Sequence, residues 1–297
     1  MNDAPRRISE DKFPAVYRAA DKNSLAGQQH FMVSTKIRLG TLIAASIFGV
    51  LTSIERIEEC AAILAAISFG LALATELFLL KTRPERTWYD GRAGAESAKT
   101  LTWRFIVGGR PFGKDDSSDE GAEELFLNRL REIVQNLKGI ALVPPTSGTD
   151  QVTTAMREMR NLPLEQRRGE YLLGRIADQR DWYASKSKWN ETRATIWMIG
   201  MGIGEAIALV GAILMAASKI SVDVLGLAGA TVAAGAAWIQ TKQYQNLASA
   251  YAVASHELSD IHARAQWADT EPKWAHFVDQ SEEAISREHT MWRASRA

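Results

Sequence analysis

Two carboxylates, Glu76 and Glu205, stand inside otherwise apolar stretches of this 297-residue chain. A carboxylate that deep in a hydrocarbon layer is costly enough to be a functional candidate by default. The two differ in position. Glu76 sits within a turn of the end of its stretch, level with Lys36 or Arg38 of an antiparallel neighbour, so an interfacial ion pair competes with a role in a pore. Glu205 lies deeper and has no cationic residue near it in sequence. Protonation, a hydrogen bond between helices, or a water-filled cavity would each accommodate it, and it is a candidate for a pore or a subunit contact.

Other chemistries find no support in residue spacing. The five histidines, His30, His256, His262, His276 and His289, form no metal signature. His256 and His262 fall on different helix faces, unlike the i, i+4 pair of a zinc protease. Gly200, Gly202 and Gly204 lie within an apolar run with no strand before them, which removes a dinucleotide loop. No Walker loop or nucleophile elbow is present. The expectation is a protein that is not an enzyme and uses no cofactor or metal. The single cysteine, Cys60, excludes an internal disulfide framework.

Lys and Arg together number 35, as do Asp and Glu, and this neutral balance gives no reason to expect a nucleic-acid partner. The mean hydropathy of -0.16 averages over two kinds of sequence. Four apolar stretches, 39–54, 60–80, 194–218 and 224–241, are each of membrane-spanning length. They predict an all-α integral membrane protein of two transmembrane helical hairpins, four spans in all, with long cytoplasmic helical extensions and the lipid bilayer as its partner. Lys36 and Arg38 precede the first span, Lys81, Arg83 and Arg86 follow the second, Lys186, Lys188 and Arg193 precede the third, and Lys242 follows the fourth. The first connecting loop is acidic, with Glu55, Glu58 and Glu59 against Arg56. The positive-inside rule therefore predicts that both termini and the middle region are cytoplasmic, and Trp88, Tyr89, Trp189, Trp197, Trp238 and Tyr244 are interface anchors on that side. The residues before the first span, including Arg6, Arg7, Glu10, Asp11 and Lys12, lack the apolar core of a signal peptide, so the first span is expected to be retained.

The two halves, 1–145 and 146–297, repeat one grammar: a polar helical lead-in, a span, a tight turn, a second span and a long charged helix. Between the hairpins, 108–121 reads as a solvated loop, 122–137 as an amphipathic helix and 143–148 as a second loop. Residues 151–159 and 164–190 carry further helical pattern, with Pro163 suited to a first helical turn. Small residues recur every fourth position at Gly200, Gly204 and Ala208 and again from Ala62 to Ala74, a pattern that lets helices approach closely within a chain or between copies.

Along the helix after the second span, Trp88, Arg92, Glu96, Lys99 and Trp103 fall on one stripe, where Glu96 can pair with Arg92 and Lys99. Such a stripe is either a packing face or a surface that receives a trigger. The surrounding segment, 83–112, with Trp88, Tyr89, Asp90, Gly91, Arg92, Glu96, Ser97, Lys99, Thr100, Trp103, Arg104, Pro111 and Phe112, resembles the stretch after the second span in the SLATT superfamily of two-transmembrane proteins associated with SMODS nucleotidyltransferases and SLOG domains. The second half, with Arg168, Tyr171, Arg175, Asp178, Gln179, Trp182, Tyr183, Lys186 and Asn190, also resembles a SLATT unit. The resemblance implies a tandem pair acting as an inner-membrane effector of bacterial antiphage conflict. Such an effector homo-oligomerises, forms a pore or perturbs the membrane, and arrests growth when a sensor or second-messenger-generating partner signals. Two other classes compete: a constitutive ion channel or transporter, and a membrane scaffold.

Overall fold

The computed structural model describes residues 8–115, 118–137, 148–218 and 224–294. Among them there is no strand. The elements are α1 (Ala15–Leu51), α2 (Glu58–Thr82), α3 (Pro84–Val107), α4 (Asp119–Asn136), α5 (Thr154–Arg160), α6 (Leu164–Tyr171), α7 (Asp178–Ala216), α8 (Val224–Lys242), α9 (Tyr244–Arg264) and α10 (Glu271–Ala294). A π-helical segment, Leu172–Ala177, joins α6 to α7 without a break in the helical rod.

Local chemistry sets several of the boundaries. Glu58 and Glu59 occupy the first turn of α2 and Lys81 its last, complementing the helix dipole. Arg83 adopts a left-handed conformation (φ 43°) and donates its N–H to the Leu79 carbonyl, and Pro84 follows. The second hairpin leaves its second span in the same manner: Gln243 is left-handed (φ 51°) and donates to the Ile239 carbonyl before α9 begins. One left-handed residue between span and following helix is thus a structural signature of the internal repeat. Ser118 caps α4 by accepting from the Gly121 N–H at 3.2 Å. Pro163 takes the position before α6, with ψ 152°, one residue outside the first turn expected for it.

The chain divides into two compact units. One comprises Gln29–Pro84 and Lys186–Ala250 and contains the apolar stretches of α1, α2, α7 and α8. In the most apolar windows of the four candidate spans, 0 to 17 % of the residues are buried. Ile63, Phe69, Leu73, Ile203, Ile207 and Leu209 all point outward. Apolar faces of that extent, on helices long enough to cross a bilayer, are solvated by lipid and not by water. The connection at 219–223 lies outside the described residues.

The other unit comprises Met1–Gln28, Glu85–Ser185 and Tyr251–Ala297. Its core is aromatic: Phe105 stacks on Phe126 with centroids 4.6 Å apart, and Phe112 meets Phe105 edge-on at 5.7 Å. Phe112 departs from the solvated loop expected over 108–121, since it is completely buried. The polar and Gly-rich composition around it describes the flanks, whereas one large ring burying its area against two others decides the path of the chain. Of the loop expected at 143–148, only Gly148 is within the described residues.

Candidate functional site

In the unit that carries the spans, the guanidinium of Arg38 on α1 pairs with the Glu76 carboxylate on α2. The turn between α1 and α2 places these two residues level, and the pair removes the isolated charge that would otherwise be costly in hydrocarbon. Glu205 has a different setting. It is exposed on α7 among outward-facing Met198, Ile203, Ile207 and Leu209, and among the described residues it has no hydrogen-bond or ion-pair partner.

The small-residue ladder on α7 is split by helix geometry. A repeat of four advances faster than about 3.6 residues per turn, so successive members rotate around the helix. A Cβ on Gly204 would rest 3.4 Å from Val232 of α8, one on Gly211 would meet Val224 at 2.9 Å, and one on Gly235 of α8 would meet the Met201 sulfur at 2.8 Å. Trp197, Met201, Gly204, Ala208 and Gly211 are accordingly buried or half-buried, spaced alternately by four and three. Gly200 lies off this seam, exposed and with nothing within 4 Å of a Cβ.

In the other unit, the stripe on α3 packs within the chain, although the buried Trp103 indole N–H has no hydrogen-bond acceptor among the described residues. The Trp88 carbonyl accepts from the Ser24 hydroxyl at 3.2 Å, and its ring lies 4.9 Å from that of Tyr89. Arg92 pairs with Glu96 at 2.6 Å. Burial penalises the Arg92 charge, but Glu96 together with Tyr183, Tyr251 and Asp21 outweighs it and the pKa is raised. Lys99 pairs with Glu10. Trp103 stands edge-on to Phe13 at 6.0 Å and to Tyr171 at 5.8 Å. These contacts make the stripe a packing face of α3 against α1, the residues before it and α6.

Three buried arginines, outside the expected site apart from Arg175, organise this unit. Arg160 gives Nη1 to the carbonyls of Phe105 (2.8 Å) and Phe112 (2.9 Å) and Nε to Asp119 (2.9 Å). Arg167 gives Nη1 to the Val107 carbonyl at 2.6 Å, Nε to the Leu162 carbonyl at 2.9 Å, and pairs with Glu271. The Trp274 indole N–H reaches the same Val107 carbonyl at 2.8 Å. The end of α3, with carbonyls lacking helical partners and the negative pole of the dipole, is thus closed by two cations and an indole. Gly108 follows with φ 76°, and a Cβ there would strike the Arg167 Nη1 at 2.6 Å. Arg175, at the π-helical turn, makes a two-pronged contact with Glu282 of α10. Burial alone would depress the Arg175 pKa, and the charge and hydrogen bonds of Glu282, with smaller contributions from Glu96 and Tyr171, reverse this to a rise. The Tyr171 hydroxyl also donates to Glu282, at 3.0 Å, and burial pushes its pKa well above the ordinary phenol value. Only a partial signal marks these residues: Arg167, Tyr171 and Arg175 recur every fourth position along one helical rod beside Ile176, whereas Met156, Met159 and Arg160 belong to the separate helix α5, and neither pattern reveals the carbonyl partners.

No nucleophile is aligned with a base in this network, and among the described residues no cluster of three or more metal-ligating side chains occurs. What the geometry offers is a buried polar network in one unit, and in the other a lipid-facing surface in which Glu205, among the described residues, has no partner.

Residues 14–168 match the family model for the SMODS and SLOG-associating 2TM effector domain 3, and residues 171–292 match that for the SMODS and SLOG-associating 2TM effector domain 1. No curated protein and no solved structure matches the chain.

Proposed function

Because this chain belongs to the SLATT family of two-transmembrane effector domains, as a tandem pair of them, we propose that it oligomerises in the bacterial inner membrane and opens an ion-conducting path when activated. Membrane residence and the effector class follow from the family and the four spans. The conducting role rests on Glu205. A carboxylate exposed on an apolar spanning face is stabilised by water or by a partner, and among the described residues no side chain partners Glu205. Assembly of several copies around the α7 faces supplies both, with Glu205 as an acidic ring that favours cations.

In this reading both termini and the segment between the hairpins are cytoplasmic. The unit built from Met1–Gln28, Glu85–Ser185 and Tyr251–Ala297 then receives the signal of a sensor or second-messenger-generating partner, and depolarisation arrests growth. Imaging of membrane potential in cells expressing the chain tests the reading, with the neighbouring genes present and absent. Triggered depolarisation that is lost or changes selectivity in Glu205→Gln at equal expression is the expected result. A Gln variant that depolarises with the same selectivity as the parent removes Glu205 from the path, and an assembly that never depolarises cells leaves a scaffold as the function.

A further inference from the structure

The spans do not fill the space between them. Within the span-bearing unit, α1, α2 and α8 enclose an elongated cleft of about 860 Å³. Its walls are apolar, formed by Leu42, Gly49 and Val50 of α1, Phe69 of α2, and Ala230 and Ala234 of α8. The cleft exists because α8 presents only glycine and alanine there, side chains too short to reach across. It follows α1 from Arg38 to Ser53, about 22 Å of helix at about 1.5 Å per residue. A single leaflet contributes about 15 Å of hydrocarbon, half of a core of about 30 Å, so the cleft is long enough for one acyl chain. Its volume lies within the roughly 300–1,000 Å³ typical of small-molecule sites.

One end of the cleft is charged. Arg38 lines it and is committed to Glu76. At the same level two ammonium groups flank one indole, with Lys36 Nζ 5.8 Å and Lys242 Nζ 5.3 Å from the Trp238 ring centroid. Trp238 follows the lining residue Ala237 in sequence and Lys36 lies just before the lining residue Arg38, and basic groups beside the mouth of such a cleft, at the depth of an aromatic anchor, suit an anionic lipid headgroup. We propose that the cleft binds an anionic phospholipid, with the phosphate at Lys36 and Lys242 and one acyl chain lying against Ala230 and Ala234. A helix from a second copy is the competing occupant. Every span of this chain carries basic residues at that end, Lys36, Arg38, Lys81, Lys188, Arg193 and Lys242. A parallel copy would bring like charges to the same mouth, whereas a phosphate neutralises them. The site does not depend on conduction and can be tested apart from it.

The experiment uses the full-length protein, delipidated in detergent and supplied with phosphatidylglycerol or with phosphatidylcholine of the same chains. Lipid retention is read by native mass spectrometry and stabilisation by thermal unfolding. Retention and stabilisation by phosphatidylglycerol over phosphatidylcholine are expected, with a loss of about tenfold or more in that preference for Lys36→Gln/Lys242→Gln. Ala234→Phe and Gly49→Leu fill the cleft from opposite walls, Gly49 having open space where a side chain would enter, and both should lose bound lipid. Equal retention of the two lipids, or full retention by both filled variants, overturns the proposal. So does efficient disulfide crosslinking of Cys60→Ser/Ala234→Cys between copies, which would assign the cleft to a subunit contact.

Discussion

The Arg175 guanidinium and the Glu282 carboxylate meet completely out of solvent, Nε to Oε1 at 3.0 Å and Nη2 to Oε2 at 2.8 Å, although they lie 107 positions apart in the chain. Two parallel charge-assisted bonds offset the desolvation of both ions only while both are present. Arg175→Met or Glu282→Leu alone strands a buried charge and should cost about 3–5 kcal/mol. The double variant replaces the pair by apolar groups and should recover most of that loss. Thermal unfolding of the three variants in detergent measures the coupling, and additive losses would mean that the pair is not the unit of stability.

Gly91 and Gly169 make a contrasting pair. A Cβ on Gly91 would stand 2.8 Å from the Ser24 nitrogen, 3.0 Å from its Cα and 3.1 Å from the Ala20 carbonyl oxygen. All three are backbone atoms, so α1 and α3 must move apart and the bond from Ser24 to the Trp88 carbonyl weakens. Gly91→Ala should destabilise by about 1–3 kcal/mol. Gly169, inside α6 with nothing near its Cβ, should gain about 0.5–1 kcal/mol as alanine. Melting temperatures that shift in the same direction would contradict this account.

The spans were legible because an apolar run needs no knowledge of its partner, and the Arg38–Glu76 level could be read because a short turn fixes the register of a hairpin. The clamp at the end of α3 was not. Arg160 and Arg167 engage backbone carbonyls from 48 to 60 positions away, and every helix has such carbonyls at its end. Sequence patterning assigns charged residues to solvated faces, and an arginine buried by main-chain oxygens breaks that rule without breaking helical periodicity. Phe112 was misplaced for the opposite reason: its neighbours are loop formers, while its ring belongs to a core assembled from α3 and α4.

Asp119 links two cations, accepting from Lys114 Nζ at 2.9 and 3.1 Å and from Arg160 Nε at 2.9 Å. The Lys114 hydrogen bond, with the charge of Arg160, lowers its pKa. A carboxylate with a lowered folded-state pKa contributes stability above its unfolded value of about 3.9, and that contribution is lost as pH falls through the folded value. Denaturation between neutral pH and pH about 3 should show a shallower acid slope for Asp119→Asn than for the parent. An unchanged slope would show that the side chain, which is more than half exposed, is too well screened to matter.

The seam between α7 and α8 separates Gly204 from Gly200, although both belong to one sequence ladder. In a membrane such contacts rest on close packing and not on the exclusion of water. Gly204→Leu and Ala208→Leu should therefore force α7 from α8, lowering the melting temperature and the yield of crosslinks between the two helices. Gly200→Leu points away from the seam and should leave both unchanged. If Gly200→Leu alone alters crosslinking between copies, its face belongs to the assembly.

Orientation can be read from a residue the chain already has. Cys60 is the single cysteine and is exposed at the start of α2, next to the acidic turn that the charge distribution assigns to the periplasm. Asn128 is exposed on α4 and belongs to the region assigned to the cytoplasm. An impermeant maleimide applied to intact spheroplasts should label the native protein at Cys60, and should leave Cys60→Ser/Asn128→Cys unlabelled until the membrane is permeabilised. The reverse pattern would invert the topology. It would also place Lys36, Lys81, Lys188 and Lys242 outside, against the statistical preference for basic residues within, and move to the periplasm the region proposed to receive the signal, where no cytoplasmic second messenger could reach it. Labelling at both sites in intact cells would instead indicate that the assembly admits the reagent, which a maleimide of larger diameter would resolve by losing access to Asn128→Cys while retaining Cys60.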